Sequence, residues 1–328
     1  MLYIKIVYHL KLIGIKFLFA IGFFNKLSTP RQPIARILVF HGIDIIGQTH
    51  YNSRFVSVHY FEKLLLELKK NYTFILLDDF YNQHYDTERN NLVLTFDDGL
   101  QNNVDLAVPI LEKLNIPATF FLTSCPKHHE VLWPDFLDLV SFHTTKTSVI
   151  FNGKAYTKKG ENEFQHHGRT LKNMCKQLSF TTIQNLYTLF DEEWQNIKSQ
   201  NLAIYWQLMS LENSKNIIQN PLFSIGAHSV YHPNLVALNA DDALVEMMQC
   251  KKELEDSLGI PIYQFAFPFG TYSQDLKTLA KKSGFTQLLA LDYNKASDAK
   301  DQMLKNRFMI NPHIGWHEQL YFIKKGSY

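Results

Sequence analysis

The sequence of 328 residues is 46% hydrophobic and 14% aromatic, which suffices for a large core and excludes a disordered or low-complexity chain. Lysine and arginine total 33 against 31 aspartate and glutamate residues, and this formal net charge of +2 argues against a protein whose main partner is nucleic acid. Three scattered cysteines indicate neither a disulfide framework nor a cysteine-ligated zinc site.

Residues 1–27 form an apolar segment with a few cationic side chains. Its longest stretch without a charged residue or histidine, 17–25, is far shorter than the ~20 apolar residues of a membrane span. On a helix, Lys5, His9 and Lys16 share one stripe, which is typical of helices at a membrane interface. No small-residue cleavage site follows, which disfavours a removable signal peptide. We expect a membrane-interface or signal-anchor helix on a membrane-associated protein, with a helix packed on the protein itself as the alternative.

The segment 34–123 alternates between short apolar runs and amphipathic stretches. The runs predict strands and the amphipathic stretches predict helices: strands over 36–43, 72–77, 91–96 and 118–122, and helices over 58–70 and 104–114. Strands that alternate with helices indicate a largely parallel sheet. We therefore interpret 34–123 as the first part of an α/β domain.

The segment 124–220 is richer in polar residues. Helical patterns dominate it, and one run predicts a strand: helices over 133–142, 171–178 and 183–208, and the strand over 148–151. We interpret it as a mainly helical insertion. The β/α pattern resumes in 221–328, the second part of the α/β domain, where a helix over 240–258 begins after a cap at Asn239 or Asp241 and ends before Gly259.

Two adjacent carboxylates, Asp97 and Asp98, directly follow the strand predicted over 91–96. Parallel α/β sheets and barrels place their reactive groups at the carboxyl ends of the strands. Adjacent side chains on a strand point to opposite sides, so one carboxylate can hold a cation while the other remains free as a base. A polar β-turn, which Asp-Asp-Gly also favours, is the alternative.

Two histidines four residues apart, His228 and His232, follow the strand predicted over 222–225. If this segment forms a helical turn, both imidazoles face the same side and can bind one ion. Two histidines and one carboxylate, with a position open for water, form a catalytic zinc-type site. Together with the paired aspartates, these histidines predict a divalent-metal site.

Three short segments together resemble the first three motifs of the polysaccharide deacetylases, the NodB-homology group of carbohydrate esterase family 4. They are Thr-Phe-Asp-Asp-Gly at 95–99, His-Ser-x-x-His-Pro at 228–233 and Phe-Pro-Phe-Gly at 267–270. The resemblance covers approximately 36–123 and 222–312. It implies a distorted (β/α) barrel, a divalent metal, for which we expect zinc, and removal of an N-acetyl group from an amino sugar. The largely helical insertion lies outside the resemblance.

Matched position by position, the resemblance implies that Asp97 is the catalytic base. It also implies that Asp98, His228 and His232 are the metal ligands. The third family motif usually begins with an arginine that braces the catalytic aspartate, but no arginine stands before Pro268 here. Arg307 is the replacement that the rest of the sequence offers, with an ordinary surface or core-edge arginine as the alternative.

The family's last motif, Leu-x-x-His, is missing after the third motif but occurs near the front of the chain, at 38–41. This order resembles the circularly permuted branch that deacetylates poly-β-1,6-N-acetylglucosamine in biofilm-forming bacteria. A barrel permits such a permutation because its first and last strands are neighbours. We expect His41 to be the general acid, with His313 as the alternative.

Residues around the motifs are expected to bind the sugar, since exposed aromatic faces stack on sugar rings. They are Trp133, Tyr231, Pro268, Phe269 and Gly270. The sequence thus predicts a metal-dependent hydrolase that removes an N-acetyl or other N-acyl group from an amino sugar in a bacterial surface polysaccharide or its precursor. The alternatives are a deacylase of a lipid-linked amino sugar and a catalytically inactive carbohydrate-binding homologue.

Overall fold

The computed structural model describes residues 33–328, together with Leu12 and Gly14. The cationic apolar helix predicted for residues 1–27 therefore lies outside the described residues except at these two positions. No helix in the described part of the chain is long and apolar enough to span a membrane.

Short strands and helices follow one another along residues 33–328. The strands are β1 (Ala35–Phe40), β2 (Ile43–Asp44), β3 (Val56–Ser57), β4 (Tyr72–Phe74), β5 (Asn90–Phe96), β6 (Ala118–Leu122), β7 (Ser148–Phe151), β8 (Lys154–Lys159), β9 (Glu163–His166), β10 (Arg169–Thr170), β11 (Phe223–Ala227), β12 (Gln264–Ala266), β13 (Gln287–Ala290), β14 (Leu304–Asn306) and β15 (Phe308–Met309). The α-helices are α1 (Val58–Lys69), α2 (Leu77–Tyr81), α3 (Val108–Leu114), α4 (Trp133–His143), α5 (Leu171–Cys175), α6 (Phe180–Ile183), α7 (Asn185–Leu189), α8 (Asp191–Lys198), α9 (Leu211–Gln219), α10 (Ala240–Leu258), α11 (Gln274–Lys282) and α12 (Trp316–Lys325).

The main sheet is a nearly closed barrel of parallel strands. Its order is β14-β13-β12-β11-β6-β5-β1-β15, and β4 pairs with the beginning of β5. Since Arg307 alone separates β14 from β15, one segment of chain pairs with β13 on one side and with β1 on the other. The predicted (β/α) barrel is confirmed, and β1 is the neighbour of the last strand.

The central barrel strands are buried on both faces, which explains why they are continuous apolar runs in the sequence. All five residues of β6 are buried, as are six of the seven residues of β5. The outer helices bury one stripe each. In α1 that stripe consists of Phe61, Leu64, Leu65 and Leu68. Each such apolar side chain contributes about 1.5–3 kcal/mol on full burial.

Helix ends agree best with the sequence where capping residues mark them. Helix α10 begins where the Asn239 side chain accepts a hydrogen bond from the Asp242 backbone N–H, and it ends before Gly259 at a φ of 70°. The helix predicted over 183–208 is instead two short helices, α7 and α8. Phe190 leaves helical geometry between them.

The insertion leaves the barrel after β6 and returns at β11. It contains helices α4 to α9 and also an antiparallel sheet of order β10-β9-β8-β7, of which only β7 was predicted. Strand β8 buries Tyr156 among exposed polar residues, and β9 buries Phe164 in the same way. These short, mostly polar strands gave no clear apolar run, which is why the sequence did not reveal them.

Candidate active site

The carboxyl ends of the barrel strands meet at one cavity of about 330 Å³. Barrel loops and the insertion both contribute to its wall, which comprises His41, Ser53, Arg54, Asp97, Lys172, Lys176, His228, His232, Phe269, Gly270, Leu291 and Met309. Most of the polar residues predicted from the motifs therefore converge on one space. Asp98 lies beside it and is almost fully buried.

Asp97 is held by a two-pronged contact with Arg307. The Arg307 Nη1 atom donates to Oδ1 of Asp97 at 2.6 Å, and Nη2 donates to Oδ2 at 2.7 Å. Burial alone would raise the pKa of Asp97, but Arg307 and then His228 outweigh it and hold that pKa below its ordinary value. Arg307 therefore fixes both carboxylate oxygens of Asp97, as a bracing arginine would. Asp97 is ionised at neutral pH.

Asp98 faces both histidines. Its Oδ1 atom lies 3.2 Å from Nε2 of His232 and 3.6 Å from Nε2 of His228. Each of the three residues offers one potential ligand atom, and these three atoms lie within 4.8 Å of one another. Although burial opposes its ionisation, Arg54 and the two histidines hold the pKa of Asp98 well below its ordinary value.

These three side chains suit a divalent cation. Both carboxylate oxygens of Asp98 are buried and accept no hydrogen bond from the described residues. Oδ2 lies 3.4 Å from Nη2 of Arg54, and Oδ1, which faces the histidines, can bind an ion. Burial lowers the pKa of His232, which favours the neutral imidazole that a metal needs. His228 Nδ1 lies 2.7 Å from the Ala266 carbonyl oxygen, which can only accept a hydrogen bond, so Nδ1 carries the proton and Nε2 can bind an ion.

The histidines converge through a loop, so the expectation of a helical turn was wrong. Ser229 and His232 adopt φ angles of 67° and 56°, in the left-handed region. The Glu246 Oε2 atom on α10 accepts the backbone N–H groups of Val230 and Tyr231 at 2.8 and 3.1 Å. Glu246 thus fixes the loop in place of helical hydrogen bonds, and no sequence motif marks it.

Trp133 is fully buried, so its predicted role as a platform for the sugar is wrong. It is the first residue of helix α4 in the insertion, and its Nε1 atom donates to the backbone carbonyl of His232 at 3.0 Å. Trp133 therefore supports the loop of a candidate metal ligand.

The other predicted substrate residues divide into two groups. Phe269 and Gly270 line the cavity, and Gly270 sits at a φ of 67° with space for no side chain, since a Cβ atom there would lie 2.2 Å from Leu291 Cγ. Pro268 is buried and does not line the cavity. Tyr231 also lies outside it and stacks on Phe180 with ring centres 3.9 Å apart. The predicted sugar contacts of Pro268 and Tyr231 are therefore not supported.

His41 lies directly after β1 and lines the cavity, and the Asn103 Nδ2 atom holds its backbone carbonyl at 2.7 Å. Burial, and then the charge of Arg54, lowers the pKa of His41 to about 3, so its imidazole is neutral in the free protein. His313 is exposed and does not line the cavity. Of the two candidate acids, His41 is the one beside Asp97.

Arg54 is a site residue that sequence reasoning missed. Its Nη2 atom lies 3.4 Å from Oδ2 of Asp98, and its Nε atom donates to Asn52 at 3.2 Å. Asn52 in turn donates to the buried Asp135 on α4 at 2.8 Å. Burial, followed by the charge of Asp98, raises the pKa of Asp135 to about 7. A lone arginine in a loop has no motif, so only the fold reveals this chain of contacts.

The family model for polysaccharide deacetylase matches residues 84–288, which is more than half of the sequence. The chain belongs to the polysaccharide deacetylase family. It is accordingly a hydrolase that acts on the carbon–nitrogen bond of N-acetyl sugars, and its substrate is a glycan of that kind. No curated protein matches the sequence significantly.

Solved structures of bacterial deacetylases share the fold at low sequence identity. The Streptococcus pyogenes deacetylase PplD, in complex with acetate, is 18% identical with a TM-score of 0.55 over 89% of this chain and 98% of its own. IcaB from Ammonifex degensii is 15% identical with a TM-score of 0.54, over 88% and 95%. A de-N-acetylase from Aggregatibacter actinomycetemcomitans is 15% identical with a TM-score of 0.50, over 86% and 96%. These likenesses support the barrel fold.

Proposed function

We propose that this polysaccharide deacetylase is metal-dependent and removes an N-acetyl group from an amino sugar of a bacterial surface polysaccharide or its precursor. The observation that carries the proposal is the convergence of Asp98, His228 and His232 beside the ionised Asp97. Two imidazoles and one carboxylate form a donor set typical of zinc, with a coordination position left for water. An inactive carbohydrate-binding homologue would have no need of this set.

In the proposed reaction, Asp98, His228 and His232 hold the metal ion. A divalent cation in such a site polarises the acetyl carbonyl and lowers the pKa of a water molecule. Asp97 accepts the proton of the attacking water as general base. Arg307 keeps Asp97 ionised and fixes both of its oxygens, so the base is oriented before the substrate arrives.

We assign the general acid to His41. The departing amine needs a proton, and His41 lies in the same cavity wall as Asp97. Burial lowers the pKa of His41 in the free protein, so the proton that it delivers is taken up during the reaction, and the attacking water is the molecule that releases one. The imidazole then passes this proton to the nitrogen of the leaving sugar.

We further propose that the chain belongs to the permuted branch that acts on poly-β-1,6-N-acetylglucosamine. In support, the histidine motif at 38–41 comes first in the sequence, and β1 pairs with the last strand β15. In a chain with the usual motif order, the histidine of the last motif would follow the final strand. His41 follows β1, which is the neighbour of the final strand here.

For residues 1–27 we propose membrane association through the cationic apolar helix inferred from the sequence. Deletion of these residues is expected to move the protein from the membrane fraction to the soluble fraction. Retention of the shortened protein in the membrane fraction would contradict this anchor.

The decisive experiment for the reaction is an amine-release assay on β-1,6- and β-1,4-linked N-acetylglucosamine oligomers and on lipid-linked acetamido sugars. The assay is run with the native protein, after chelation, and after zinc is added back. We expect amine release from the β-1,6 oligomers that chelation abolishes and zinc restores. Release that is unaffected by chelation would contradict metal dependence, and a preference for lipid-linked sugars would move the substrate to a precursor.

A further inference from the structure

Three ion pairs lie around the cavity. Asp97 contacts Arg307, Asp98 contacts Arg54, and Asp138 on α4 contacts Lys172 from the insertion. Each pair joins one cation to one carboxylate. Lys176 adds a further positive charge to the wall of the cavity, and it has no carboxylate within 4 Å among the described residues.

Lys176 is held in place at the cavity. It follows helix α5, and its Nζ atom lies 4.5 Å from the ring centre of Phe269. His232 packs its ring edge-on against the same phenylalanine, with ring centres 4.6 Å apart. A cation–π contact with Phe269 therefore positions the ammonium group of Lys176. This contact leaves less of the face of the ring for a sugar.

The surroundings of Lys176 favour an anion. The side chain is half-buried, and burial, followed by the charges of Lys172 and Arg54, lowers its pKa. A metal ion held by Asp98 would add more positive charge to the same space. A neutral N-acetyl sugar would leave the ammonium group of Lys176 without a counter-charge, whereas an anionic group on the substrate would supply one.

We propose that the amino sugar deacetylated in this cavity carries an anionic substituent, a phosphate or a carboxylate, and that Lys176 binds that substituent. The inference rests on the proposed deacetylation. It competes with the assignment to the poly-β-1,6-N-acetylglucosamine branch, because that polymer is neutral, and the test below decides between the two. Lys172 is paired with Asp138, so Lys176 supplies the main contact. The insertion thereby selects the substrate that the barrel hydrolyses.

The test compares the efficiency of amine release, kcat/KM, on neutral and anionic sugars with the full-length, zinc-loaded protein. The probes are N-acetylglucosamine, its 1-phosphate and 6-phosphate, and N-acetylmuramic acid, so that phosphate and carboxylate are separate arms. We expect at least one anionic sugar to be hydrolysed roughly tenfold more efficiently than the neutral one, as for a charge-assisted contact. This advantage should shrink as ionic strength rises.

The variant Lys176→Gln should remove most of that advantage, because it removes the charge and keeps a polar side chain that is one atom shorter. The matched control is Lys154→Gln, which removes a lysine from the exposed β8 hairpin of the same insertion and should leave the advantage intact. Equal efficiency on neutral and anionic sugars, or an equal loss on both in Lys176→Gln, would overturn the inference.

Failure of the underlying reaction has a different signature. If neither these sugars nor the β-1,6-linked oligomers release amine, the proposed deacetylation fails. The anion site is then decided by calorimetric binding of the same sugars to the native protein and to Lys176→Gln. Tighter binding of an anionic sugar that Lys176→Gln abolishes would support the site, and equal binding of all the sugars would refute it.

Discussion

The edge of the barrel and the insertion contribute to the cavity in different ways. The barrel supplies the groups proposed to react or bind metal, each directly after a parallel strand: His41 after β1, Asp97 and Asp98 after β5, and His228 and His232 after β11. The insertion supplies Trp133 and Asp135 behind the ligands, and Lys172 and Lys176 in the cavity wall. The proposed chemistry therefore resides in the barrel, and the insertion adds further support and positive charge to it.

This division follows from the geometry of the two regions. The carboxyl ends of parallel strands meet at one edge, so short motifs at the strand ends converge whatever lies between them. The insertion must instead pack on that edge from outside, and it reaches the site through single side chains such as Trp133. Substitutions at the barrel edge should therefore have larger effects than substitutions in the insertion.

The largest effect is expected for Asp98→Asn and His228→Ala. Each removes one of the three proposed ligand groups, so bound metal and amine release should disappear together, with kcat/KM at least ~10³-fold lower. Metal content is measured by elemental analysis and folding by circular dichroism. Asp298→Asn, a buried aspartate that accepts from Tyr272 outside the cavity, is the control. A fully active Asp98→Asn protein would show that the edge of the barrel does not hold an essential metal ion.

Asp97→Asn should separate catalysis from metal binding. The amide cannot take a proton from water, so kcat should fall by about 10²–10⁴-fold, the usual contribution of a general base. Metal content should remain that of the native protein. Undiminished turnover would show that the base lies elsewhere in the cavity.

His41→Ala should lower kcat by roughly 10²-fold without loss of metal, because the leaving amine then has no positioned acid. His313→Ala is the matched control, since that histidine is exposed and lies outside the cavity. If His313→Ala is the impaired variant instead, the acid role passes to His313 and the permuted arrangement loses its main support.

Arg307→Lys should have an intermediate effect and a distinctive pH profile. Lysine retains the charge but not the two-pronged contact, so the pKa of Asp97 should rise towards its ordinary value. Since the base must be ionised, activity should then be lost at a higher pH as the solution is made more acidic. We expect a roughly 10-fold lower kcat, measured with the acidic limb of the pH–rate curve. An unchanged acidic limb would contradict the brace.

The smallest effect is expected in the insertion. Trp133→Phe removes the hydrogen bond to the His232 carbonyl and should weaken zinc affinity by roughly tenfold, as is usual for groups that support metal ligands. Trp194→Phe is the control, because that buried tryptophan donates to Glu130 instead. Equal zinc affinities of the two variants, measured by competition with a chelating dye, would show that the insertion does not support the metal.

The same division explains how much the sequence could predict. Strands β5 and β6 were predictable because they are continuous apolar runs, and Asp97, Asp98, His228 and His232 because they stand in short motifs. Arg54 and Asp135 could not be predicted as neighbours, since a chain of contacts through Asn52 joins positions far apart in the sequence.

Two features of the fold escaped the sequence patterns for physical reasons. The barrel closes through β14 and β15, which have three and two residues and are too short for a hydrophobic period. The sequence predicts that Trp133 binds the sugar, because an aromatic residue beside a motif often stacks on a sugar ring. Its burial became evident only from the packing of the insertion against the barrel.

The most direct test of the central claim is anomalous diffraction from crystals of the zinc-loaded protein. The account predicts one strong peak within about 2.0–2.2 Å of a carboxylate oxygen of Asp98 and of one nitrogen each from His228 and His232. The absence of a peak there, or a peak at other residues, would contradict it.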